Sequence, residues 1–166
     1  KVRHFGVSNQ NPMMMELLKT VVKQPLKVNQ LQLSAAFTPS FEAGFHVNME
    51  GPKAAVRDGS VFEYCRLTDT VIQAWSVLQH GFFKGNFVGK EEFAALNHVL
   101  NDLAKKYQVT PTAIALAWVL RYPGKMQAVI GTTKPQHVLE AGKAATVTLT
   151  RKEWYQVYLA AGNDLP

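Results

Sequence analysis

Four short apolar segments divide this chain, and each runs out into polar or small residues. They are residues 2–7, ending at Ser8-Asn9; 28–33, ending at Ser34; 70–76, ending at Trp75-Ser76; and 127–130, running into Gly131-Thr132-Thr133. Their lengths and their enrichment in Val, Ile, Leu and aromatics predict strands. The stretches between them read as helices. Residues 13–22 follow Pro12 and stop before Pro25, and residues 61–67 form a short helical piece. Phe93, Leu96, Leu100, Leu103 and Tyr107 recur at helical spacing, so 91–107 is an amphipathic helix. Thr110-Pro111 opens a nearly all-apolar helix that Tyr122-Pro123-Gly124 stops, and Lys134-Pro135 opens another. Thr150 with Glu153 three residues later has the capping-box pattern and starts a last helix. Strands alternating with helices predict a parallel α/β sheet built from right-handed crossovers.

Residues 35–60 break the alternation. They hold Pro39, Gly44, Gly51, Pro52 and Gly59 without a sustained period, which predicts a long loop carrying short helical pieces.

Composition narrows the classes. The chain has 166 residues, 47% apolar and 18% charged, so 1–166 is read as one segment with a real core. No run approaches the ~18 apolar residues of a membrane span, and residues 1–5 lack a signal-peptide core. The net charge is +6, but the lysines are scattered and no basic–aromatic stripe appears, so neither nucleic acid nor membrane is the expected partner. Cys65 is the only cysteine, which rules out an internal disulfide and points to a reducing cytoplasm. The five histidines show no metal-ligand spacing, and no P-loop, GxGxxG or hydrolase signature occurs.

In parallel α/β folds the carboxyl ends of the strands carry the ligand site. All four segments end there in groups suited to one. Gly131-Thr132-Thr133 ahead of a helix, with Lys134 alongside, offers backbone N–H groups, hydroxyls and the positive helix end to a phosphate. An ordinary strand-to-helix turn with Thr as N-cap would read the same. Trp75 beside Ser76 is either a stacking platform for a planar ring or a core tryptophan. Trp118 and Trp154 lie in helical stripes and are assigned to packing, and Cys65 is read as a small inert hydrophobe.

The segments VRHFGVSN, VNQLQLS, VIQAWSVLQHG and AVIGTTKPQHVLEA, in this order and spacing, resemble strands five to eight of the aldo-keto reductase family. That family folds as a (β/α)8 TIM-type barrel and uses NADP(H) to reduce small-molecule carbonyls. The closest flavour is the bacterial branch with AWS on the seventh strand and a terminal TRKEWYQVYLAAG helix. The resemblance covers essentially the whole chain and implies that it is the C-terminal half of the barrel. A truncated reductase, a half-barrel completed by its missing N-terminal half or a second copy, and a non-catalytic nucleotide-binding half-barrel or regulatory subunit are the three arrangements it leaves open.

The resemblance implies residue roles. Ser8, Asn9 and Gln30 would hold the nicotinamide carboxamide, and Trp75 would stack on its ring. Ser76, Leu78 and Gly81 would line the pyrophosphate loop. Gly131 and Thr133, with Lys134 nearby, would hold the 2′-phosphate, and His137 and Glu140 would lie beside the adenine and ribose. The sequence departs from the family at His137, where Gln or Arg is frequent, and at Ala141, where Asn is. The Tyr, Lys, Asp and His that assist hydride transfer in this family belong to its first four strands, so no catalytic residue is expected here. Tyr64, Tyr107, Tyr122, Tyr155 and Tyr158 all fall in predicted helices or their ends. The segment 35–60 is the candidate for substrate specificity.

Overall fold

The computed structural model describes residues 2–45, 60–81 and 84–164, with side chains from 43 to 45 left aside. Most of segment 35–60, the candidate specificity loop, therefore lies outside the described residues.

Four strands form one parallel sheet in the order β1-β2-β3-β4: β1 Phe5–Ser8, β2 Leu26–Gln32, β3 Val71–Trp75 and β4 Met126–Ala128. Each neighbour is also the next strand in sequence, the order of a barrel wall rather than of a doubly wound sheet. This is the expected parallel α/β architecture. Seven α-helices connect or cover the described strands: α1 Pro12–Lys19, α2 Pro39–Phe45, α3 Val61–Leu67, α4 Ala94–Tyr107, α5 Pro111–Leu120, α6 Pro135–Gly142 and α7 Arg151–Ala160.

Boundaries move for local reasons. Helix α1 stops at Lys19 rather than at residue 22, because the Thr20 hydroxyl donates to the Leu17 carbonyl at 2.7 Å and closes the last turn. The predicted helix 91–107 begins as a 3-10 turn, Glu91–Phe93, before α4 proper. β4 ends at Ala128, two residues short of expectation, although the Val129 N–H still donates to the Ala74 carbonyl at 2.8 Å. Two caps read from the sequence are present: Thr110 caps α5 ahead of a Pro, and Thr150 with Glu153 forms the capping box of α7. A third, Asn11 ahead of Pro12 at the start of α1, is shown by the structure alone.

The pleat divides the sheet into two faces. Asn29, Leu31, Ile72 and Ala74 are buried on the face that the helices cover. Val28, Gln30, Val71, Gln73 and Trp75 alternate with them and stay half-buried, and no helix among the described residues covers that opposite face. In a closed barrel that second face is the interior.

The core lies between the helix-covered face and α3, α4, α5 and α7. Every residue of α5 from Ala113 to Val119 is buried. Trp118 and Trp154 stack at 4.8 Å with an interplanar angle of 9°, and each indole N–H donates to the other residue's carbonyl at 3.0 Å. Both tryptophans are packing residues, as expected. Phe41 of α2 is 1% exposed and meets the rings of Phe62, Tyr122, Trp118, Trp154 and Tyr158, so the start of the irregular segment belongs to the core. Cys65 is fully buried, and desolvation pushes its thiol up to about 11. No helix among the described residues is long and apolar enough to cross a membrane.

Candidate functional site

A cleft of about 520 Å³ opens at the carboxyl ends of β3 and β4. Its floor and one wall come from Trp75, Ser76 and Leu78, and the other wall from Gly131, His137 and Glu140. These six are all sequence-predicted site residues, drawn from two segments more than fifty positions apart. The volume falls within the ~300–1,000 Å³ range of small-molecule sites.

The wall after β3 is held rigidly. Ser76 takes a left-handed backbone, φ 51°, and turns the chain sharply off the strand. The loop folds back on itself, with Phe87 N–H donating to the Leu78 carbonyl at 3.1 Å. Buried Asn97 of α4 then ties the loop down. Its Oδ1 accepts from Gly89 N–H at 2.8 Å, and its Nδ2 lies 3.0 Å from the carbonyls of Phe87 and Lys90. Gly81 sits buried inside this loop at φ +157°, where a Cβ would come within 2.9 Å of the Lys84 side chain. It shapes the turn and is not part of the cleft surface.

The other wall is the start of α6. Lys134 is its N-cap, not a threonine, and supplies no side-chain cap. Pro135 has no N–H and the His137 N–H donates to the Lys134 carbonyl at 3.0 Å, which leaves the Gln136 N–H as the first-turn donor without a partner among the described residues. Thr132 Oγ1 instead accepts from Lys134 N–H at 3.2 Å and lies 3.4 Å from His137 Nδ1. Thr133 and Lys134 are exposed at the mouth and do not line the cleft.

Ser8, Asn9 and Gln30 form a second group joined to the cleft through Trp75. Asn9 Oδ1 accepts from the Trp75 indole N–H at 3.4 Å. The Ser8 hydroxyl, at 3.1 Å, and the Asn9 N–H, at 2.9 Å, both donate to the Gln30 carbonyl. Asn9 reaches it with a left-handed backbone, φ 54°, which Asn tolerates better than most residues. Trp75 is thus a half-buried residue at the cleft edge and not a core tryptophan.

Sequence reasoning missed Thr112, Leu116 and Gln79, which also line the cleft. Thr112 and Leu116 are four apart on one face of α5, but its uniform hydrophobicity hides which face meets the site. Gln79 matters for fit: its Oε1 is buried and has no hydrogen-bond partner among the described residues. A buried orphan acceptor is costly unless a bound group supplies a donor. An aromatic wall and a helix start without a side-chain cap suit a flat, anionic ligand, while the orphan acceptor calls for a donor group on whatever binds. Among the described residues no cluster of three His, Cys, Asp or Glu could hold a metal ion.

The profile described as the Aldo/keto reductase family matches residues 1–158. The chain is 32% identical over 167 residues to 6-dehydroglucose reductase of Agrobacterium fabrum, covering 99% of this chain and 49% of that protein. It is 30% identical over 168 residues to oxidoreductase YdhF of Escherichia coli, covering 100% of this chain and 50% of that one. The chain thus spans about half the length of the curated relatives it matches. Among solved structures, an aldo-keto reductase from Klebsiella pneumoniae in complex with NADPH superposes with a TM-score of 0.68 at 20% identity, over 95% of this chain and 47% of that one. A thermostable aldo-keto reductase in complex with the inhibitor epalrestat gives 0.67 at 22% identity, over 95% and 48%. The strand order, the cleft at the strand ends and these matches agree: the chain belongs to the aldo/keto reductase family of oxidoreductases.

Proposed function

We propose that this chain is the cofactor-holding half of an NADP(H)-dependent reductase of small aldehydes or ketones, acting in the cytoplasm. The observation that carries this is the cleft at the ends of β3 and β4, which gathers Trp75, Ser76, Leu78, Gly131, His137 and Glu140. The nicotinamide, when bound, supplies hydride to the carbonyl carbon. Trp75 would present its face to the ring, with Asn9 holding the indole in place. Ser8, Asn9 and Gln30 would take the carboxamide. Thr133 and Lys134, beside the uncapped start of α6, would receive the 2′-phosphate at the cleft mouth.

The proton for the carbonyl oxygen would come from outside this chain. The tyrosines are committed to the helical layer: Tyr107 donates to Glu153 at 2.8 Å, Tyr64 accepts from Lys19 at 2.7 Å, Tyr122 and Tyr158 are buried, and Tyr155 packs edge-on against Trp154. The partner that would bring the acid is the complementary barrel half. Its docking seams would be the outer edges of β1 and β4, which pair with no further strand among the described residues. Exposed Met13, Leu17 and Val21 flank one edge, and Val138 and Leu139 the other.

Calorimetric titration of the protein with NADPH tests the reading. Wild type should bind. Trp75→Ala should bind about tenfold or more weakly, from the lost stacking, with its Tm nearly unchanged. Unaltered affinity in the variant, or no binding by wild type, would overturn it.

A further inference from the structure

The helix-free face of the sheet carries a line of amides that the cleft does not explain. Ser8, Gln30, Gln73 and Gln127 occupy one level, paired in register across β1, β2, β3 and β4. Barrel interiors are filled mostly by branched apolar side chains. Three glutamines side by side there need a reason: Gln30 and Gln73 are half-buried, and an amide drawn away from water is costly unless it is hydrogen-bonded.

Their bonds run in one direction. Gln30 Nε2 donates to Gln73 Oε1 at 3.2 Å, and Gln73 Nε2 donates to Gln127 Oε1 at 2.9 Å. A glutamine amide has two chemically opposite ends that a half-turn exchanges, one accepting and one donating. In a chain of such amides each orientation dictates the next. Here the chain engages the donor end of Gln30, so its Oε1 is left free among the described residues. The backbone of Gln30 is pinned separately by Ser8 and Asn9 through its carbonyl.

We infer that Gln73 and Gln127 are positioning residues that turn the acceptor end of Gln30 toward the nicotinamide carboxamide, so that it receives the carboxamide N–H. The inference rests on the proposed role of Gln30, and neither Gln73 nor Gln127 lines the cleft. Reversing the line would present Gln30's donor end to a group that offers a donor.

Charge-bearing variants set the direction by chemistry. Gln73→Glu and Gln127→Glu can only accept, so they preserve the line. Gln73→Lys and Gln127→Lys can only donate, so they reverse it. Gln127 is exposed and lies two strands from Gln30, which makes its variants mild for folding. Affinity is measured by calorimetry for NADPH and for its 3-acetylpyridine analogue, whose methyl ketone has no N–H to give. The Glu variants should bind NADPH as wild type does. The Lys variants should lose about tenfold to a hundredfold for NADPH, from a mismatched buried hydrogen bond, yet bind the analogue at least as well as wild type. Equal losses for both ligands, or wild-type NADPH affinity in Gln127→Lys, would overturn the inference. Where Gln73→Lys fails to fold, the Gln127 pair decides. Failure of wild type to bind NADPH would instead remove the functional reading on which the inference rests.

Discussion

Replacing Glu153 with Gln isolates one charge at the joint between α4 and α7. The carboxylate is 6% exposed. Its Oε2 accepts from Thr150 N–H at 2.7 Å, from the Thr150 hydroxyl at 2.8 Å and from Tyr107 at 2.8 Å, while Oε1 accepts from Lys106 at 2.5 Å. Burial alone would raise its pKa. The donors from Lys106, Thr150 and Tyr107 outweigh burial and hold it at about 2, against an ordinary 4.5. Glutamine keeps one acceptor and puts an amide donor among donors. The Lys106 link contributes little, since that side chain is 59% exposed and screened. The charged capping bond and the donor mismatch together cost about 2 kcal/mol at pH 7, a fall in Tm of roughly 4–8 °C for a chain of this size. Because the folded pKa is depressed, this stability is fully present above pH 4.5 and is lost as pH falls toward 2. Thermal unfolding of both proteins in steps from pH 7 to pH 3 should therefore show the gap narrowing below 4.5. Other carboxylates titrate alike in both and cancel. A gap that stays constant or widens in acid would refute the reasoning.

Trp118→Phe removes one of the two reciprocal indole bonds and leaves a void against Trp154, so it should cost about 2–3 kcal/mol, read as a lower urea midpoint. Gly6→Ala would place a Cβ 2.7 Å from Val28 Cβ. That overpacking should cost about 1–3 kcal/mol and speed amide exchange in β1 more than in β3. Cys65, with its thiol raised by burial to about 11, should resist a disulfide reagent at pH 8 in the native protein and react fully on unfolding. Rapid native-state labelling would contradict that burial.

Much of this architecture was legible because it is written locally. Helix spacing such as Leu96, Leu100 and Leu103, prolines at helix starts, and the Thr150–Glu153 box are set by residues within a turn or two of one another. The polar strand ends were visible in the same way, and those after β3 and β4 now line one cleft. What only tertiary structure decided depends on register and on which faces meet. No local period marks Phe41 as the centre of an aromatic cluster, because its neighbours come from α3, α5, α7 and the turn after α5. Nothing near residue 153 announces that its carboxylate also receives a tyrosine and a lysine from the end of α4. Gln30, Gln73 and Gln127 are unremarkable singly, and only strand pairing puts them on one level as a directed line. Sequence patterns report what neighbours along the chain require, whereas pairing register is settled by the burial of whole faces against each other.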